Sequence, residues 1–205
     1  MNSLFNKRPL LKDPIAIMSA EWLYKTFDMD VIVLIRHPAS FISSLKRLKW
    51  KFQFSNLFKQ EELMREKLYP FKEEIKNYTI NEKDIIDQAI LLWRIIYYVV
   101  KEYRNKYPDW IFKRHEDLAK NPVEGFRSIY KKIGLNCTKS IENKIAECSS
   151  LKNPKEVSIK QAGNIKRNSK SQVDIFKKRL SVKKIEYVKE KTKDIWTYFY
   201  NDNDW

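Results

Sequence analysis

The rhythm of polar and apolar positions breaks most sharply at Val31-Ile32-Val33-Leu34-Ile35, five apolar residues in succession. Consecutive β-branched residues at 31–33 and the lack of alternation predict a short strand buried on both faces. Arg36 ends the run, and Pro38 suits the first turn of a helix, where its missing N–H has no intrahelical role. From Phe41 the apolar positions fall at 41, 45 and 48, which is helical spacing, while Ser40, Ser44 and Arg47 take another face. The predicted unit is therefore strand, tight turn, helix. Its turn sets a guanidinium fork beside helix-start N–H donors and hydroxyls, a combination that holds an anionic group. An ordinary βα unit with a surface arginine fits the same local pattern.

Upstream, Arg8-Pro9-Leu10-Leu11-Lys12-Asp13-Pro14 reads as a short strand closed at a proline-marked turn, because the residue before proline is biased away from helix. Ile15 to Phe27 carries an amphipathic helical pattern, and Asp28-Met29-Asp30 turns into the Val31 strand. Two strands joined by a helix form a βαβ unit, so parallel pairing in an α/β sheet is expected. Between Lys49 and Tyr78 aromatics recur among Glu and Lys residues: Trp50, Phe52, Phe54, Phe58, Tyr69 and Phe71. They fit a core cluster or a substrate platform. Ile85, Ile86, Ala89, Ile90, Trp93, Ile96, Tyr97 and Val100 repeat at threes and fours, the clearest helical pattern in the chain. Its basic end at 101–106 favours the helix dipole and Pro108 stops it. That helix is expected to pack on the sheet and to carry no chemistry. A helix from Val123 to Ile133 ends at Gly134, a shorter one covers Ile141 to Cys148, and Ser149 to Ser171 is polar and lysine-rich. A last helix bears Ile185, Val188 and Ile195 and leads to Tyr198-Phe199-Tyr200.

With 205 residues, 43% of them hydrophobic, the chain suits one domain, 1–205, with a full core. Lys and Arg outnumber Asp and Glu by 41 to 26, a net charge of +15. Most of that excess sits on solvated helix faces by expectation, yet it favours anionic partners: nucleotide, nucleic acid, acidic glycan or a membrane surface. The three glycines, Gly125, Gly134 and Gly163, exclude a glycine-rich phosphate loop of either common kind. Cys137 and Cys148 have neither metal spacing nor a disulfide framework, and two histidines cannot build a His-rich metal site. No metal is expected. No run approaches the ~20 apolar residues of a membrane span. Met1-Asn2-Ser3-Leu4 lacks the charged-then-apolar design of a signal peptide, so a cytoplasmic protein is expected.

Arg36 followed by Ser44, behind Val-Ile-Val-Leu-Ile, resembles the 3′-phosphate-binding segment of sulfotransferases. These enzymes use 3′-phosphoadenosine-5′-phosphosulfate (PAPS) as sulfuryl donor. A second stretch runs from Ile111 through His115-Glu116-Asp117-Leu118 and Asn121-Pro122 to Gly134-Leu135. It is similar to the family's strand running into Y-E-D-L, short N-P turn and helix ending in G-L. His115 stands where the family has a tyrosine against the adenine. Lys166-Arg167-Asn168 loosely resembles the family's R-K-G, and Phe176 to Ser181 its W-x-x-x-L-[ST] segment. The resemblance covers about residues 8–200.

The family resemblance implies an α/β fold: a three-layer parallel sheet flanked by helices, of the P-loop nucleoside-triphosphate-hydrolase-like kind. Arg36 and Ser44 would hold the 3′-phosphate, with His115 on the adenine and Lys166 or Arg167 closing over the nucleotide. Lys12 matches the lysine that neutralises the leaving oxygen. Cytosolic members place a histidine two residues after that lysine, whereas this chain has Asp13 and then Pro14. Asp13 is open to two readings: the base that accepts the acceptor's proton, or a helix cap. The acceptor would be a hydroxyl compound such as a carbohydrate. The family's first strand and P-K-[ST]-G-[ST]-[ST]-type loop have no counterpart here, so an N-terminally truncated product is expected, with weakened PAPS binding. Such a chain is expected to leave the apolar flank of a strand exposed. Two rivals stand beside the enzyme: a non-catalytic remnant or partner protein of the same fold, and a basic nucleic-acid-binding module. The second lacks the known module signatures and a single basic stripe, and no specific nucleic acid is expected as partner.

Overall fold

A computed structural model describes residues 8–13, 16–156 and 165–205. Among these, two strands pair in parallel, β1 (Ile32–Ile35) and β2 (Ile111–Arg114), with Ile32 opposite Ile111 and Ile35 opposite Arg114. The rest is mainly helical. A 3-10 turn at Ala16–Ser19 leads into α1 (Ala20–Phe27), and β1 is followed by α2 (Pro38–Leu48). Three short helices come next, α3 (Ser55–Phe58), α4 (Glu61–Glu66) and α5 (Lys72–Ile80), then the long α6 (Ile85–Lys106). Past β2 lie α7 (His115–Lys120), α8 (Pro122–Lys132) and α9 (Lys139–Ser149). The chain continues in α10 (Phe176–Arg179), α11 (Val182–Lys191) and α12 (Lys193–Trp196). No helix among the described residues is long and apolar enough to cross a membrane.

The fold is built on α6. Its Asp84 cap accepts the Ile86 N–H at 2.8 Å, and its buried stripe includes Leu91, Trp93, Ile95, Val99 and Val100. Residues three and four apart share a helix face, so the stripe presents one continuous apolar surface. Val33 and Ile35 on one face of β1 join its main core cluster, and α2 lies alongside α6. The aromatic stretch after α2 divides: Phe54 and Phe71 are buried in the core, and Phe52, Phe58 and Tyr78 pack against it. Trp50 and Tyr69 stay exposed. That segment is therefore chiefly core.

Three sequence expectations are corrected here. Residues 8–13 form no strand, and Pro14 and Ile15 lie outside the described residues, so the parallel partner of β1 is β2 and not an upstream strand. Arg8 is fastened instead by its side chain, which pairs with Asp30 at 2.6 Å and donates to the Ile133 carbonyl at 2.7 Å. The helix expected from Ile15 becomes regular only at Ala20. Finally, β1 is buried on one face, not two. Ile111 packs with Leu118 and Ile129, whereas its partner across the ladder, Ile32, and Leu34 on the same face of β1 are 37% and 50% exposed. The α7–α8 layer reaches β2 and leaves that side of β1 uncovered.

Helix α8 ends as its sequence predicts. Gly134 takes φ 68°, its N–H donates to the Lys131 carbonyl, and Leu135 N–H reaches back to Tyr130 at 2.8 Å.

Candidate anion-binding site

Arg36 leaves the end of β1 with its backbone held on both sides by α6. Its N–H donates to the Tyr97 hydroxyl at 2.8 Å, and its carbonyl accepts from Trp93 Nε1 at 2.9 Å. Trp93 and Tyr97 are one helical turn apart with ring centroids 4.6 Å from each other, so one face of α6 supplies both bonds. Burial pushes the Tyr97 hydroxyl pKa well above its ordinary value, which keeps it neutral and able to accept and donate. This long helix, expected only to pack, fixes the position of the arginine.

From that anchor the Arg36 side chain lies over α2, with Nη2 donating to Ser44 Oγ at 3.3 Å. Its Nε is buried and has no hydrogen-bond partner. Burial lowers the guanidinium pKa, and although Tyr97 and Glu116 oppose this, the nearby charge of Arg179 adds to it. A desolvated cation with an unmatched donor is costly, and an anion placed there would offset the cost. Deeper in α2, Ser40 Oγ donates to the Val173 carbonyl at 3.5 Å and Ser43 Oγ to the Ser40 carbonyl at 3.1 Å. Those two hydroxyls are structural. Ser44, half-buried, is the one that faces the guanidinium.

The turn after Arg36 is held by Glu116, which is 4% exposed. Its Oε1 accepts the His37 N–H at 3.0 Å and its Oε2 accepts the Tyr200 hydroxyl at 2.8 Å. The His37 ring is buried, stacked on Phe176 at 4.9 Å and edged by Tyr200 and Trp205 at 5.0 and 4.4 Å. Neither ring nitrogen has a hydrogen-bond partner, and burial pulls the imidazole pKa down to about 3. It is a neutral, apolar packing element. Glu116 is thus a structural carboxylate that bonds backbone on the turn after the neighbouring strand. Asp117 pairs with Arg114 at 3.2 Å.

Of the sequence-predicted site residues, the structure brings together Arg36, Ser44 and His115. The last opens α7 at the end of β2, level with Arg36 because the parallel register sets Ile35 opposite Arg114. Its pKa is lowered by burial first and then by the Arg36 charge, with Glu116 opposing. Lys166 instead pairs with Glu147 of α9, and the Arg167 N–H donates to the Cys148 carbonyl at 2.9 Å. Lys12 and Asp13 are exposed on the irregular stretch before α1. No strand carries them to the sheet edge where Arg36 lies.

Sequence reasoning missed Trp93, Tyr97, Tyr200 and Arg179. The first two sit on a face fully explained by packing, and the others are remote in sequence, so spacing held no signal for them. Two surface clefts, of about 700 Å³ beside Arg94 and about 400 Å³ beside Lys67, lie away from Arg36. Among the described residues no group of three or more His, Cys, Asp or Glu could hold a metal ion. Comparisons with protein-family models, with curated proteins and with solved structures each find no match to this chain.

Proposed function

We propose that this chain is a sulfotransferase-type protein that grips the 3′-phosphate of PAPS with Arg36 and Ser44. The observation that carries the reading is the 3.3 Å contact between Arg36 Nη2 and Ser44 Oγ at the end of a parallel strand. Ligands of open α/β sheets enter at that edge. His115, level with it on the neighbouring strand, is the adenine contact, and Lys166 and Arg167 are the loop cations of the same reading. The parallel pair flanked by α6 and by α7–α8 is the part of the three-layer fold that supports it. In the implied reaction the acceptor oxygen attacks sulfur as the bridging S–O bond breaks. Adenosine 3′,5′-bisphosphate leaves, Lys12 neutralises its oxygen and Asp13 takes the hydroxyl proton. Both halves rest on sequence resemblance, and geometry adds support for the binding half alone, through the Arg36–Ser44 contact and the level placement of His115.

The exposed, irregular placement of Lys12 and Asp13 favours a second reading, a non-catalytic nucleotide-binding protein of the same fold. Calorimetry with adenosine 3′,5′-bisphosphate and adenosine 5′-monophosphate tests the shared premise. The bisphosphate should bind roughly ten- to a hundredfold more tightly, and Arg36→Ala should abolish most of that advantage. Equal affinities would overturn both readings, and oligonucleotide binding that falls steeply with salt would favour a nucleic-acid module. Transfer of radiolabelled sulfate from PAPS to carbohydrate hydroxyls, lost in Lys12→Ala, separates enzyme from binder.

A further inference from the structure

A second guanidinium lies near the Arg36–Ser44 pair. Arg179 closes α10 with its side chain 12% exposed, and its charge is felt by Arg36. Its backbone carbonyl accepts from Lys46 Nζ at 3.4 Å, and Phe176 and Leu180 on either side are buried, so its place is set by packing. Arg47, one turn beyond Ser44 on α2, approaches the same region. Both guanidiniums converge on one atom, Glu156 Oε1: Arg47 Nε at 3.2 Å, Arg179 Nε at 3.0 Å and Arg179 Nη2 at 2.5 Å.

The two sides of this contact differ in kind. The donors lie on helices, whereas Glu156 sits on an irregular bend with its side chain 45% exposed. A carboxylate shared between two arginines leaves an excess of positive charge, to which Arg36 and Lys46 add. Forked donors of this sort match a tetrahedral oxyanion as well as they match a carboxylate.

We propose that Arg47 and Arg179 form a second anion subsite beside Arg36, that Glu156 is its internal occupant, and that a phosphate or sulfate ester group displaces it. The subsite lies outside the 3′-phosphate assignment and does not depend on it. A ligand reaching both would carry two separate anionic groups. Glu156 would then compete with the ligand, so the native chain binds such a group more weakly than its arginines alone would allow.

Calorimetry with inorganic pyrophosphate on the full chain tests this. Glu156→Gln, at a half-exposed position, should tighten pyrophosphate binding about tenfold, the scale of one charge-assisted contact no longer displaced. Arg179→Met, and independently Arg47→Met, should remove that gain while keeping the aliphatic stem in place. Arg36→Ala should retain it, which separates this subsite from the 3′-phosphate site. Repeating the series with adenosine 3′,5′-bisphosphate and with a sulfated disaccharide assigns the group to nucleotide or to sugar, and tightening by Glu156→Gln for either supports the proposal. Unchanged or weaker pyrophosphate binding in Glu156→Gln would overturn it and leave Glu156 as a structural ion-pair partner.

Discussion

Tyr200 donates its hydroxyl hydrogen to Glu116 Oε2 at 2.8 Å, in a place where both residues are almost wholly buried. Burial, and then the Glu116 charge, pushes the phenol pKa well above its ordinary value, so Tyr200 remains a donor throughout the working range of pH. Because the other carboxylate oxygen holds the His37 N–H, the pair ties the turn after Arg36 to the far end of the chain. Tyr200→Phe should cost about 1–3 kcal/mol in denaturant-measured stability, by leaving a buried carboxylate oxygen unmatched. It should also weaken adenosine 3′,5′-bisphosphate binding. A variant as stable as the native chain would show that Glu116 is satisfied without Tyr200.

Helix α2 stops in the same way as α8 but without a glycine. Lys49 takes φ 51°, with its N–H on the Lys46 carbonyl and the Trp50 N–H on Leu45, both at 3.1 Å. A side chain in the left-handed region costs about 1–2 kcal/mol, against which glycine's greater freedom in the unfolded chain weighs somewhat less. Lys49→Gly should therefore raise stability by up to about 1 kcal/mol and leave nucleotide binding unchanged. Urea unfolding compared with Lys49→Ala, which keeps the Cβ and gains nothing from the turn, isolates the backbone effect.

His37 makes stability depend on pH. Its pKa is about 3 in the fold against 6.5 ordinarily, so between those values the unfolded chain binds the extra proton. Stability is full above about pH 7 and falls as the pH drops through that window, at roughly 1.4 kcal/mol per unit once below 6.5. Between pH 7 and 5 the native chain should lose about 2 kcal/mol from this residue. His37→Phe, which suits the aromatic enclosure, should flatten most of the slope. His115, whose pKa is also lowered, supplies a residual slope of the same sign. An unaltered slope in His37→Phe would show that the ring is hydrated.

Local pattern was a good guide wherever the signal lay within one element. The β1 strand, the α2 helix behind Pro38, the α6 stripe and the Gly134 stop are each written in neighbouring residues, and Arg36 and Ser44 lie on one such unit. What pattern could not supply is whatever depends on a partner distant in the chain. An apolar run such as Val31–Ile35 looks the same whether one or both of its faces are covered, and the exposure of Ile32 and Leu34 follows from how far the α7–α8 layer extends. The stretch around Lys12 has strand-like composition, but strands form by pairing, and among the described residues it has no neighbour to pair with. Likewise the hold of Trp93 and Tyr97 on the Arg36 backbone uses the polar tips of side chains whose rings already account for their place in the helical stripe.

The enclosure of His37 by Phe176, Tyr200 and Trp205 also bears on the order of events during synthesis. A nascent chain can make β1, α2 and α6 from its first half, yet the turn bearing the guanidinium stays wet until residues 200–205 have left the ribosomal tunnel. Contacts spanning more than 160 residues form late and slowly. The half-made protein therefore presents an open cationic turn to the polyanions around it, and premature release before residue 200 yields a chain that folds in part without completing its ligand site.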